Sequence, residues 1–127
     1  MFEQMPLAAV LSEKNSNNKV FAVHAGIGSS IQKIDDIEKI QRPLKITLGA
    51  VNDQIQQAAM DLLWSDPTPS EDTLGIHPNL ARDPQKQNNI SLYGADIVEK
   101  FLKNNQISMM IRANQICMDG MDRYANN

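Results

Sequence analysis

Apolar residues in the first part of the chain fall into two short runs separated by a polar segment. The runs span residues 7–11 and 19–24, and the segment between them, residues 12–18, reads SEKNSNN. Two apolar runs around a turn-forming segment predict an antiparallel β-hairpin, and their apolar character predicts strands buried on both faces. The second run leads into residues 24–30, where two glycines permit backbone conformations that other residues resist. We therefore expect a site at this loop.

Apolar residues recur at helical spacing in three later segments. Residues 31–40 carry an isoleucine at every third position, and Ser29 or Ser30 can cap the resulting helix, which an Arg-Pro pair ends. Residues 51–63 and 94–105 have a similar periodicity, with a glutamine cluster near the start of the first and two asparagines at the end of the second. The pattern predicts three amphipathic helices.

The chain between the last two of these helices differs in composition. Residues 68–89 are rich in Pro, Ser, Asp, Asn and Gln and lack apolar periodicity, which predicts a long irregular loop. After the last helix, residues 106–111 predict a short strand that leads straight into the polar residues Arg112 and Asn114. Alternating strands and helices indicate an α/β fold, in which polar groups at strand ends commonly form the site.

Composition narrows the class of protein. With 127 residues, 42% of them hydrophobic, the chain has the size of a single domain. A net charge of −3 supplies no basic surface, so neither nucleic acid nor an anionic membrane is expected as a main partner. The apolar patch at residues 6–11 is too short for a spanning helix, and the single cysteine, Cys117, cannot form an internal disulfide. These features predict an intracellular protein, cytoplasmic or nuclear.

Four side chains could carry chemistry, and each has a plainer alternative. His24 ends a buried strand and can bind a metal or transfer a proton, although such a histidine is more often packed or at the surface. Asp66 can orient a basic group or serve in a Ser-Asp-Pro turn. Arg82 offers a planar fork of donors to a phosphate, or lies solvated in its loop. His77 has no evident partner, so a metal site made of the two histidines alone is weakly supported.

Six short motifs occur in an order and spacing typical of one family. They are LAAV at 7–10, VFAVHAGI at 20–27, IQRP at 40–43, DLLWSDP at 61–67, IRANQ at 111–115 and DG at 119–120. The series resembles the C-terminal half of the catalytic domain of the phosphoprotein phosphatase family of serine/threonine phosphatases. The resemblance covers nearly all of residues 1–127 and implies part of a metallophosphoesterase β-sandwich flanked by helices. Within the family, residues 26–31 and 64–79 look most like the phosphatases that carry Kelch repeats.

The resemblance also implies an activity and a set of site residues. Members of the family hydrolyse phosphoserine and phosphothreonine in phosphoproteins with a water that two divalent metal ions, of the Mn, Fe or Zn class, activate. His24 aligns with one metal ligand, and Asn114 stands where the family has a second ligand, a histidine. Arg82 matches, imperfectly, the arginine that contacts the phosphate, and Asp66 is assigned a supporting role.

Departures from the family pattern limit what this sequence is expected to do. Ala25 replaces a glycine of the family's His-Gly-Gly motif, and the amide of Asn114 suits a transition metal less well than imidazole. The family's three N-terminal metal-binding blocks do not occur in the sequence. We therefore expect a missing N-terminal phosphatase half as a partner, and no catalysis by the 127 residues alone. The alternatives are a degenerate pseudophosphatase remnant that serves as a binding or scaffold element, and a reading frame that starts at an internal methionine.

Overall fold

The computed structural model describes residues 2–45, 53–87 and 89–125, and within these ranges it has two small sheets and three helices. A 3-10 turn at Phe2–Gln4 precedes the first strand. The strands are β1 (Ala8–Ser12), β2 (Lys19–Val23), β3 (Asp66–Pro67), β4 (Ile76–Pro78), β5 (Ser91–Tyr93) and β6 (Met109–Ile111), and the helices are α1 (Ile34–Glu38), α2 (Gln54–Trp64) and α3 (Ala95–Asn105). The predicted α/β class is confirmed.

The first sheet has the order β1-β2-β6 and contains the predicted hairpin. β1 and β2 pair antiparallel, with Val10 opposite Phe21, and β6 lies parallel to β2, with Met110 opposite Phe21. Phe21 and Val23 belong to the core, where the Phe21 ring meets that of Phe101 on α3 with centroids 5.0 Å apart. The inner face of the sheet therefore packs on α3.

The prediction that both hairpin strands are buried on both faces is wrong for β1. Four of its five residues are exposed, Leu11 by 58%. β1 lies at the edge of its sheet, and the described residues place no further layer over the outer side of that sheet. An apolar run shows what a strand is able to bury, and the burial itself depends on whether a second layer is present.

The first helix is shorter than predicted, because helical geometry extends only over Ile34–Glu38. Ile31 and Ile40, at the ends of the predicted span, are buried in turns on either side of it. The cap predicted at a serine lies instead at Lys33, whose backbone N–H donates to the Asp36 carboxylate at 2.9 Å. The isoleucine spacing thus identified the buried face correctly and the helix ends incorrectly.

The other two helices confirm the prediction where the structure describes them. α2 begins at Gln54, after Asp53, whose carboxylate accepts a hydrogen bond from the Ile55 N–H at 3.1 Å. Its predicted start at residue 51 lies outside the described residues. α3 ends at Asn105 as predicted, and Gln106 follows with a φ of 53°. Within the described ranges, no helix has the length and apolar character needed to cross a membrane.

The prediction of an irregular loop over residues 68–89 is wrong in its middle, where β4 forms. β4 pairs antiparallel with β5, and β3 pairs parallel with β5, which gives a second sheet of order β3-β5-β4. Strands of two or three residues are too short to show an alternating pattern in the sequence. This sheet matters for the site because β3 contains Asp66 and β4 leads into Asn79 and Arg82.

Candidate functional site

One buried carboxylate gathers polar side chains from distant parts of the chain. Asp66 is 5% exposed and accepts five hydrogen bonds from four side chains. Arg82 donates two of them, from Nε at 2.5 Å and from Nη2 at 3.2 Å. Asn79 Nδ2 donates at 2.9 Å, Arg112 Nη2 at 3.0 Å and Asn114 Nδ2 at 3.1 Å. These five residues are called the Asp66 cluster below.

The fold brings the Asp66 cluster together at the ends of strands. Asp66 lies in β3 directly after α2, Asn79 and Arg82 follow β4, and Arg112 and Asn114 follow β6. β2 and β6 run parallel, so the chain leaves both strands at the same edge of the first sheet. The cluster therefore occupies the strand-end position where α/β proteins commonly hold a site.

The Asp66 carboxyl group is ionised in this environment. Burial raises its pKa, but hydrogen bonds from Arg82, Asn79 and Arg112 outweigh burial and hold the pKa below its ordinary value. An ionised carboxylate accepts hydrogen bonds only and has about four lone-pair sites. Five donors saturate it. Asp66 therefore holds the two arginines in place, and its carboxylate has no lone pair left to bind a metal ion or to remove a proton.

The guanidinium group of Arg82 is only partly committed to the cluster. Its Nε and Nη2 donate to Asp66, and Nη2 also donates to the carbonyl oxygen of Asn114 at 3.2 Å. Its Nη1 makes no hydrogen bond to a residue that the structure describes. The side chain is 26% exposed, and its Cζ lies 6.0 Å from the centre of the Trp64 ring. Arg82 thus has a fixed orientation and one nitrogen available to an anion.

Arg112, to which the sequence pattern assigned no role, ties the site to the rest of the fold. Its Nε donates to Ala25 O at 2.5 Å, its Nη1 to Gln115 Oε1 at 2.5 Å, and its Nη2 to Ser65 O at 3.3 Å as well as to Asp66. Four of its five N–H groups are therefore used. The only sequence signal for this structural role was a charged residue placed directly after an apolar strand.

The two residues predicted as metal ligands lie on neighbouring chain segments. The carbonyl oxygen of His24 accepts a hydrogen bond from the Ala113 N–H at 3.0 Å, and His24 is exposed. Asn114 directly follows Ala113 in the sequence, and its Nδ2 donates a hydrogen bond to Asp66. Among the residues that the structure describes, no group of three or more His, Cys, Asp or Glu could hold a metal ion. The two-metal centre that the resemblance implies therefore does not fit these residues alone.

A second buried carboxyl group lies outside the Asp66 cluster and was not among the predicted site residues. Asp61 on α2 is fully buried and accepts a hydrogen bond from Gln57 Nε2 at 3.2 Å, and the nearby Ser91 side chain and Ser30 backbone also act to lower its pKa. Its Oδ2 has no hydrogen-bond partner among the described residues. Burial raises the pKa of Asp61 to about 7 in spite of the hydrogen bonds. A Cβ on Gly28 would come within 2.1 Å of this carboxyl group, so only glycine fits there.

Sequence comparison finds phosphatases among the relatives of this chain. The model of the family described as calcineurin-like phosphoesterase matches residues 1–115. The chain is 38% identical over 125 residues to the serine/threonine-protein phosphatase BSL2 of Arabidopsis thaliana, covering 98% of the chain and 11% of the relative. It is 33% identical over 120 residues to the serine/threonine-protein phosphatase 4 catalytic subunit of Kluyveromyces lactis, covering 94% of the chain and 32% of the relative. The chain thus spans between a tenth and a third of the length of these two relatives.

Comparison with solved structures supports the same fold. The chain superposes on a protein serine/threonine phosphatase from Saccharomyces cerevisiae, described as similar to human phosphatase PP5, with a TM-score of 0.66 and 25% identity. The match covers 92% of this chain and 30% of the yeast chain. The mixed arrangement of small sheets and helices is therefore one that a solved serine/threonine phosphatase contains.

Proposed function

The chain belongs to the calcineurin-like phosphoesterase family, and on that premise we propose that residues 1–127 form the C-terminal part of the catalytic domain of a protein serine/threonine phosphatase. Its similarity to such phosphatases from a plant and a yeast supports the proposal. The substrate is a phosphoprotein, and the remainder of the catalytic domain is the missing partner. We also propose an intracellular location, cytoplasmic or nuclear. The Kelch-type branch remains a prediction.

The observation that carries this proposal is the orientation of Arg82. Two of its three guanidinium nitrogens are anchored on Asp66 and Asn114, and the third is left for an anion. Arginine N–H groups form short, charge-assisted hydrogen bonds with phosphate oxygens. An anchored arginine does not lose side-chain freedom when the phosphate arrives, so its interaction with the developing charge is preorganised. Arg82 is the residue that we propose to contact the phosphoryl group.

The proposed metal ligands of this chain are fewer than the reaction needs. Calcineurin-like phosphoesterases depend on divalent metal ions, and we propose that His24 is one ligand and that Asn114, through its amide oxygen, stands at the position of a second ligand. The other ligands then come from the partner. Since no group of three potential ligands exists among the described residues, the isolated chain is expected to bind Mn²⁺ weakly and to show no turnover.

A binding or scaffold element is the second function that the structure favours. The amide nitrogen of Asn114 donates to Asp66, where the resemblance implies a metal-binding histidine, while Arg82, the proposed phosphate contact, keeps its ion pair with Asp66. Such a site retains affinity for a phosphoprotein without the means to hydrolyse it. The two functions predict the same binding and different turnover.

A chimera of the similar yeast phosphatase distinguishes the two functions. This chain replaces the aligned segment of the yeast enzyme, and hydrolysis of a phosphoserine peptide is measured with Mn²⁺ present. A phosphatase segment gives turnover above background, and Arg82→Ala lowers it by roughly 100-fold, as loss of a preorganised donor does. The exposed Arg123 lies outside the cluster, so Arg123→Ala is the matched control and leaves turnover unchanged.

The scaffold function predicts a different result from the same chimera. The phosphopeptide then binds with an affinity that Arg82→Ala reduces, and hydrolysis stays at background even at saturating Mn²⁺. If the phosphopeptide binds equally well with and without Arg82, then Arg82 does not contact the phosphate, and this result contradicts both functions as proposed.

A further inference from the structure

Asn114 contacts both members of the Arg82–Asp66 ion pair at once. Its carbonyl oxygen accepts a hydrogen bond from Arg82 Nη2 at 3.2 Å, and its side-chain Nδ2 donates to Asp66 Oδ1 at 3.1 Å. The backbone of Asn114 has a φ of 65°. This left-handed conformation is one that asparagine adopts more readily than most residues, and it turns both polar groups of one residue toward the pair.

The chemistry of the partners decides which atom of the Asn114 amide faces Asp66. The Asp66 carboxylate is held by two arginines, so it is ionised and accepts hydrogen bonds only. The atom next to it must therefore be the NH₂ group of Asn114. The amide oxygen, which is the only side-chain atom of Asn114 able to bind a metal, then points away from the carboxylate. The contact that the Asn114 side chain makes in this structure is therefore its hydrogen bond to Asp66.

We propose that Asn114 is a positioning residue that fixes the Arg82 guanidinium, so that Arg82 offers a single nitrogen, Nη1, to an oxyanion. The proposal deepens the proposed function, since it assumes that the anion is a phosphate monoester. Arg82 Nε and Nη2 are occupied by the pair and by the Asn114 carbonyl. The usual two-nitrogen fork of arginine is consequently turned inward on Asp66, and phosphate is bound through one nitrogen with two protons.

The test follows the Arg82 Nε–H signal by NMR in the ¹⁵N-labelled chain of residues 1–127, with Arg82→Lys used to assign it. Asn114→Gly keeps the positive φ and removes the donor to Asp66. Exchange of the Arg82 Nε–H with water is expected to become roughly tenfold faster, the change typical for loss of a hydrogen bond to a charged group. Asn15 has the same backbone conformation, with a φ of 69°, in an exposed turn, so Asn15→Gly is the matched control and leaves the rate unchanged.

A conservative variant separates the donor from the general packing of the site. Histidine tolerates a positive φ, and its Nδ1–H can replace the Asn114 amide donor, so Asn114→His is expected to retain the slow exchange. If Asn114→Gly keeps the wild-type rate, or if a folded Asn114→His exchanges as fast as Asn114→Gly, the proposal is overturned. Should Asn114→Gly fail to fold, the wild-type chain decides: the Asn114 Nδ2 protons must exchange more slowly than those of Asn15.

Titration with inorganic phosphate keeps this proposal distinct from the proposed function. A phosphate-dependent shift of the Arg82 guanidinium signals in the wild-type chain supports Arg82 as the phosphate contact. If phosphate causes no shift while Asn114→Gly still accelerates exchange, the positioning role stands and the phosphate-binding function fails. If phosphate shifts the signals equally in wild type and Asn114→Gly, and the exchange rate is the same in both, the phosphate-binding function stands and the positioning role of Asn114 fails.

Discussion

Asp61 and Asp66 are both buried and close in the sequence, yet their pKa values shift in opposite directions. Asp66 forms ion pairs with the positively charged Arg82 and Arg112. The groups that favour the ionised form of Asp61 are neutral, namely the Ser91 side chain, Gln57 and the Ser30 backbone. Burial alone favours the protonated form of a carboxyl group, and at Asp66 the positively charged donors reverse this effect. The partner's charge thus decides the state of each acid.

The raised pKa of Asp61 predicts how stability depends on pH. The pKa is about 7 in the fold against an ordinary 3.8, so folding favours the protonated acid and binds a proton between these two pH values. The free energy of unfolding is therefore expected to fall as pH rises from about 4 to about 7 and to level off above, by a total on the order of 4 kcal/mol. Chemical denaturation measured from pH 4 to pH 8 checks this slope.

Asp61→Asn isolates the contribution of this one group. The amide cannot ionise and puts a neutral NH₂ in place of Oδ2, which has no partner among the described residues, so the variant should be more stable than wild type at pH 8 by roughly 2–4 kcal/mol. It should also lose most of the pH slope. Asp72 is exposed, and Asp72→Asn serves as the control with a wild-type slope. A variant Asp61→Asn that keeps the full slope would show that another group is responsible.

At the level of elements, the first sheet has apolar side chains on both faces. The inner face packs on α3 through Phe21. The register of β1, β2 and β6 places two rows of apolar residues on the outer face, Ala9, Ala22 and Ile111 in one row and Leu11, Val20 and Met109 in the other. Sheets with one solvated face normally alternate apolar and polar residues. The chain therefore carries the pattern of a sheet covered on both sides, while its described residues cover one.

The two faces are expected to respond differently to truncation. Phe21 is 1% exposed on the inner face, and Phe21→Ala should lower the free energy of unfolding by about 3–5 kcal/mol through lost burial and a cavity. Ile111 is 52% exposed on the outer face, so Ile111→Ala should cost less than about 1 kcal/mol. Urea titration of both variants at low protein concentration measures the difference. A large cost at Ile111 would mean that a second copy of the chain covers the outer face in solution.

At the level of the whole molecule, the sequence predicted the features that repeat over many residues or carry a motif. The β1–β2 hairpin and α3 follow from periodicity, and DLLWSDP located Asp66. The second sheet escaped prediction because its strands have two or three residues each. The roles of Asn79 and Arg112 were not predicted for another reason. Both residues act by contacting Asp66, from which they are separated by 13 and 46 positions in the sequence, and such contacts are a property of the fold.

Residue 114 has a role implied by a sequence motif, metal binding, and a role seen only in the fold, the contact with Asp66. Metal binding by the complete catalytic domain tests the first of these. In the chimera with the yeast phosphatase, Asn114→His should raise the affinity for Mn²⁺ on the order of 10- to 100-fold, because imidazole can donate from Nδ1 to Asp66 and still offer Nε2 to a metal. Calorimetric titration with Mn²⁺ measures the affinity directly, and His24→Ala should weaken binding in the same assay. Equal affinities with Asn114 and with His at this position would mean that residue 114 does not face the metal, and its place in the Asp66 cluster would then be its whole function.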